Sequence, residues 1–111
     1  MTLLNRTLKL AIATGCFLLP ASAHAAEVTL SLKNHVFSPA EVSVQAGQPV
    51  SLVINNLDST PAEFESKTLR VEKVVAGKAR VAVQIRPLSP GRYRFFDDYH
   101  EDTAEGFLVA R

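Results

Sequence analysis

Sulfur and tryptophan are nearly missing from this chain, which has one cysteine, one methionine and no tryptophan. The cysteine is Cys16 and the methionine is Met1. Everything after Cys16 therefore lacks thiol and thioether. That excludes a disulfide, a thiolate metal site and a cysteine nucleophile from the rest of the chain. An excess of one charge is missing too. The formal net charge is +1, so no basic field exists to hold nucleic acid, and nucleic acid is not an expected partner. Glycine-rich phosphate loops, a Gly-x-Ser-x-Gly elbow and a paired-histidine helix motif are absent.

What is present begins with a leader-like N-terminus. Met1 to Lys9 carries Arg6 and Lys9 and no acid. Leu10 to Leu19 is almost entirely apolar, and Pro20 and Ala21-Ser22-Ala23-His24-Ala25 follow. A basic start, a short apolar run and small residues at a cut predict a secretory signal peptide over residues 1–25. The run is shorter than the roughly 20 residues a span needs, so an uncleaved anchor is the weaker reading and the processed chain is expected to carry no membrane span. A lipoprotein reading at Gly15-Cys16 suits the flanking residues less well. Removing residues 1–25 takes away two of the twelve basic residues, leaving ten against eleven acids and a net charge of −1. The remaining 86 residues, 26–111, are expected to form one domain.

The dominant period in that domain is two, the signature of half-buried strands. Val28, Leu30 and Leu32 alternate with polar residues, as do Val42 and Val44, Val50 to Ile54, Leu69 and Val71, Val81 to Ile85, Tyr93 and Phe95, and Phe107 and Val109. Turn chemistry punctuates the runs at Ser38-Pro39, Ala46-Gly47-Gln48-Pro49, Asn55-Asn56-Leu57-Asp58, Ala76-Gly77-Lys78 and Ser89-Pro90-Gly91. About seven short strands at such spacing predict an all-β sandwich. Asp98 to Glu105 is polar and aperiodic and reads as a loop. The scattered bases Arg70, Lys73, Lys78, Arg80, Arg86, Arg92 and Arg94 read as the wet face of a sheet.

The order of the pieces resembles a cupredoxin. They are Phe37-Ser38-Pro39, Ala46-Gly47-Gln48-Pro49-Val50, Asn55-Asn56-Leu57-Asp58, Phe64, Pro90-Gly91-Arg92-Tyr93-Arg94-Phe95 and Gly106-Phe107. The resemblance implies a Greek-key β-sandwich over the whole of residues 26–111. It does not carry over the blue-copper ligands, which are two histidines, a cysteine and usually a weak axial methionine. The family's first histidine falls on Ala62, its cysteine on Asp97, its second histidine on His100 and its methionine on Ala104. One ligand of four is kept, so an ordinary blue-copper electron carrier is excluded.

The departures resemble a subgroup of cupredoxin-like domains associated with bacterial iron uptake. These carry a Glu-aromatic-Glu motif, here Glu63-Phe64-Glu65, and an early ligand, here His35. The resemblance implies a periplasmic metal-binding accessory protein that takes iron or copper through His35, Glu63, Asp97 and His100, with Glu65 or Glu101 assisting. Its expected partners are an iron permease and a periplasmic iron-binding protein. Two histidines and two carboxylates suit a borderline or hard ion. The residues also have plainer readings. His35 caps the turn before Phe37, Glu63 and Glu65 form a solvated strand face, Asp97 and Asp98 are turn residues, His100 is a surface histidine, and Glu101 solvates a loop. The corresponding alternative function is a metal-free interaction module. Enzymatic activity, as slow Fe(II) oxidation, is left open by the sequence.

Overall fold

The computed structural model describes residues 25–111 and Gly15. The signal peptide expected over residues 1–25 falls, apart from Gly15 and Ala25, outside the described residues. Among the described residues there is no helix. Nine strands form instead: β1 (Ala26–Lys33), β2 (Val36–Ser38), β3 (Glu41–Val44), β4 (Val50–Asn56), β5 (Ala62–Ser66), β6 (Val71–Val75), β7 (Arg80–Ile85), β8 (Gly91–Asp97) and β9 (Glu105–Ala110).

The strands build two sheets, ordered β2-β1-β4-β7 and β3-β9-β8-β5-β6. Two pairs are parallel, β1 with β4 and β3 with β9, and the others are antiparallel. Parallel neighbours need a long connection. Here each such connection carries the chain to the opposite sheet, which closes the sandwich.

Nine strands stand among the described residues where about seven were expected. β2 is three residues long, too short to show a period, and it lies in a stretch that reads as a turn. β5 has only Ala62 and Phe64 as apolar residues, yet its burial alternates cleanly, with Ser66 as the third inward position. Leu69 was expected in a strand with Val71, but β6 starts at Val71. Leu69 sits in the preceding turn and is still buried, its N–H donating to Ser66 Oγ at 3.2 Å.

The inward faces of β1 and β4 follow the period-two alternation, whereas β9 is one residue out of the expected phase, with Leu108 and Ala110 rather than Phe107 and Val109 in the core. Leu30 and Leu32 of β1 and Leu52 and Ile54 of β4 are fully buried against Phe64 of β5, Phe95 of β8 and Leu108 of β9. Phe37 stands edge-on to Phe95 with ring centroids 5.2 Å apart, and Phe64 lies 5.3 Å from Phe95. Such aromatic pairs contribute about 0.5–1.5 kcal/mol each beyond area burial. Gly106 is required by this packing. A Cβ there would lie 2.4 Å from the Phe95 ring and 2.7 Å from the Ala40 carbonyl oxygen.

The aromatic cluster also fixes the end of the molecule where the candidate residues gather. Phe64 is the register partner of Asp97, so packing of one ring into the core places the last residue of β8.

Candidate metal centre

Three loops supply this end of the sandwich. The first is the two-residue turn between β1 and β2. Lys33 pairs with Val36, and Asn34 and His35 both have positive φ, 51° and 57°. That is a type I′ hairpin turn, which needs left-handed backbone at both central positions. Asn and His are among the residues that tolerate it. Asp58, in the loop after β4, accepts from both turn amides, Asn34 N to Oδ1 at 2.6 Å and His35 N to Oδ2 at 3.0 Å. Its Oδ2 also lies 3.5 Å from His35 Nδ1. Burial works against the ionised Asp58, but the two amides, with His35 and Lys78 nearby, outweigh it and hold its carboxyl below the usual 3.8.

Asp58 is itself fastened. Its N–H donates to Asn56 Oδ1 at 3.0 Å, and its carbonyl accepts from Lys78 N at 2.8 Å. The fully buried Asn56 side chain donates to the carbonyls of Thr60, Val75 and Ala76. Gly77 lets the next loop come close, since a Cβ there would stand 2.1 Å from Ser59 O.

The second group is the β8–β9 loop. Asp97 is fully buried. Its Oδ1 accepts from Glu63 N at 2.9 Å and Tyr99 N at 3.0 Å, and its Oδ2 faces His100 Nδ1 at 3.2 Å. His100 N donates to Asp97 O at 2.9 Å, and His100 O accepts from Ala104 N at 2.9 Å. A tight turn therefore folds the imidazole back over its own strand end. There it stacks on His35, with ring centroids 3.5 Å apart and planes 13° from parallel.

His35, Asp97 and His100 thus come together, each with a ligand atom within 4.8 Å of the other two. Both imidazoles are partly open, 38% and 34% exposed at the side chain. An N and an O separated by 3.2 Å are spaced as two ligands of one ion with bonds of about 2.0–2.2 Å. Two imidazoles and one carboxylate with the remaining positions open are the donor set of mononuclear non-haem iron, and imidazole also suits copper and zinc. The residues fit such an ion.

The other expected residues do not belong to this triad. Glu63 and Glu65 share the solvent side of β5, opposite the buried Phe64, and group with Asp98 within the same 4.8 Å limit. The Glu63 carboxyl is pushed above 4.5, first by sharing a hydrogen bond with Glu72 and then by burial and the Glu72 charge. Burial and the nearby Glu63 carboxylate push the Tyr99 hydroxyl above 10. Glu101 turns to Arg94, whose guanidinium it meets at 3.2 Å beside Glu105 at 2.9 Å. Ala62 and Ala104, at the vacated histidine and methionine positions, are buried in the core. Asp58 was read only as a turn residue. An Asp in such a loop is a common backbone acceptor, but its partners lie 23 and 24 residues away in sequence.

A two-sheet sandwich with a histidine–carboxylate cluster on the loops at one end defines the class. The sequence model of the Cupredoxin-like domain matches residues 7–110, and the chain belongs to that family. An uncharacterized protein of Rickettsia prowazekii (strain Madrid E) is 41% identical over 83 residues, which is 75% of this chain and 66% of the relative's length. Among solved structures, the metal binding domain of a Cu(I)-exporting P-type ATPase of Streptococcus pneumoniae D39, with Cu(I), superposes with a TM-score of 0.68 at 13% identity, over 77% of this chain and 84% of that one. Auracyanin A, a blue copper protein of Chloroflexus aurantiacus, gives 0.67 at 14% identity, over 79% and 100%. Amicyanin of Paracoccus versutus gives 0.60 at 16%, over 82% and 87%. At these identities the likeness is one of fold.

Proposed function

We propose that this protein is an exported, periplasmic metal-binding accessory domain that holds iron or copper through His35, Asp97 and His100. The observation that carries the reading is the convergence of two imidazoles and a buried carboxylate, with ligand atoms within 4.8 Å of one another. A bound ion of either metal supplies one-electron redox chemistry, and a carboxylate in place of a thiolate favours the harder, oxidised state. The chain's own contribution is placement. The I′ turn presents His35, the β8–β9 turn presents His100, and Asp97 holds that turn closed. The leader-like N-terminus supports export. The Glu63-Phe64-Glu65 motif supports a place in iron uptake, beside an iron permease and a periplasmic iron-binding protein. The acidic group formed by Glu63, Glu65 and Asp98 lies beside the triad and is the surface from which such a cation would pass.

Anaerobic Fe(II) and Cu(II) titrations of the processed protein test this. The wild type binds one ion, and His35→Ala and His100→Ala each weaken it at least about a hundredfold, as loss of a direct ligand should exceed the 10–100-fold typical of an outer partner. Wild type binding no more tightly than the His35→Ala and His100→Ala variants overturns the reading.

One observation favours a second reading, a metal-free interaction module. Among the described residues no buried side-chain polar atom lacks a partner, and both Asp97 oxygens are engaged within the protein. A wild type that binds neither ion selects it.

A further inference from the structure

We propose that Asp58 is the positioning residue of His35, fixing both the turn that carries it and the ring nitrogen it offers. The inference rests on the metal-binding reading for its consequence, though not for its geometry. His35 adopts a left-handed backbone without being glycine, a conformation that persists only where surrounding contacts hold it. Beside the β1–β2 ladder that closes the turn, one carboxylate holds both of its amides, taking that of Asn34 with one oxygen and that of His35 with the other. The second oxygen also stands 3.5 Å from Nδ1 of the same histidine, at ion-pair rather than hydrogen-bond length. Negative charge on that side of the ring favours the tautomer with its proton on Nδ1 and leaves Nε2 as the nitrogen with a free lone pair.

The parallel with His100 strengthens the case. Its Nδ1 faces the Asp97 carboxylate, at 3.2 Å. The two stacked imidazoles therefore each have a carboxylate at Nδ1, but the carboxylates differ in kind. Asp97 belongs to the triad, whereas Asp58 stands behind it. Metal-binding histidines commonly have their second nitrogen fixed by such an outer carboxylate, and losing that partner costs about 10–100-fold in metal affinity. Asp58 is anchored independently of the histidines, by Asn56 and by the Lys78 amide, so it can impose an orientation rather than follow one.

The test combines ring-nitrogen NMR of the metal-free protein with Fe(II) and Cu(II) titration. It compares wild type, Asp58→Asn, Asp58→Glu and His35→Ala, and circular dichroism establishes that each is folded. At about pH 8, where an ordinary imidazole is neutral, wild-type His35 is expected mainly as the Nδ1–H tautomer. Asp58→Asn shifts His35, but not His100, toward Nε2–H and weakens metal binding at least about tenfold. Asp58→Glu recovers part of both. An Asp58→Asn protein with wild-type tautomer overturns the proposal, whether its affinity is unchanged or falls, because a fall alone marks mere loosening of the turn. If the wild type binds neither ion, the metal-binding reading fails, and the tautomer measurement alone decides the role of Asp58.

Discussion

Asp97 shows how one side chain can be both a structural bolt and a candidate ligand. It is fully buried, and it accepts from two backbone amides on different strands and loops. Asp97→Ala abandons both donors at about 1–3 kcal/mol each, so a loss of about 2–6 kcal/mol is expected in urea unfolding. Asp97→Asn keeps one oxygen acceptor for those amides and should cost about 1 kcal/mol. Equal destabilisation by the two substitutions would show that the amides are not held by Oδ1. The resemblance pointed to Asp97 by position, because it stands where a thiolate would be. Its bond to Tyr99 N, two residues on, is the local turn bond the sequence suggests, but its bond to Glu63 N was invisible there, since Glu63 lies 34 residues away. Asp58 went unnoticed as a site residue for the same reason. A loop Asp announces that it will accept a hydrogen bond, but not whose.

Among the elements, the β5–β6 hairpin carries the acidic face. Glu65 pairs with Glu72 across the ladder, and Glu63 pairs with Val74, so Glu72 lies diagonal to Glu63 and within reach of it. The folded-state carboxyl of Glu63 is raised. A raised carboxyl contributes stability below its ordinary value near 4.5, and that contribution disappears as pH rises through the folded value. Glu72→Gln removes the like charge, so the Glu63 titration should move down toward 4.5 and the acid-side contribution should shrink. Carbon-detected NMR titration of Glu63 checks this, and an unmoved midpoint would exclude Glu72 as the cause. Strands with clean alternation were legible in the sequence. β5 was less so because glutamates occupy its open side and serine one of its inward positions. β2 was not, because three residues cannot display a period. The loops were read as turns, but their meeting at one end depends on register across both sheets.

For the molecule as a whole, β9 is the strand on which the larger sheet depends. It lies between β3 and β8 and pairs with both, and its Gly106 admits the Phe95 ring into the core. A chain ending before residue 105 leaves β3 without a partner and opens the core beside Leu108. Loss of a cooperative thermal transition is expected by circular dichroism, and a surviving sharp transition would show that the other sheet can hold the fold alone. The sandwich also leaves four strand margins, β2 and β7 in one sheet and β3 and β6 in the other. Two of these are only three and four residues long, too short to recruit another chain with any strength. The longer two carry Glu72 and Lys73 on β6 and Arg80 and Gln84 on β7, all exposed. Charge on an open margin discourages a second molecule from adding itself as the next strand. A sulfur-free sandwich with guarded margins is therefore protected against both covalent cross-linking and sheet-to-sheet aggregation, even when many copies are crowded into one compartment.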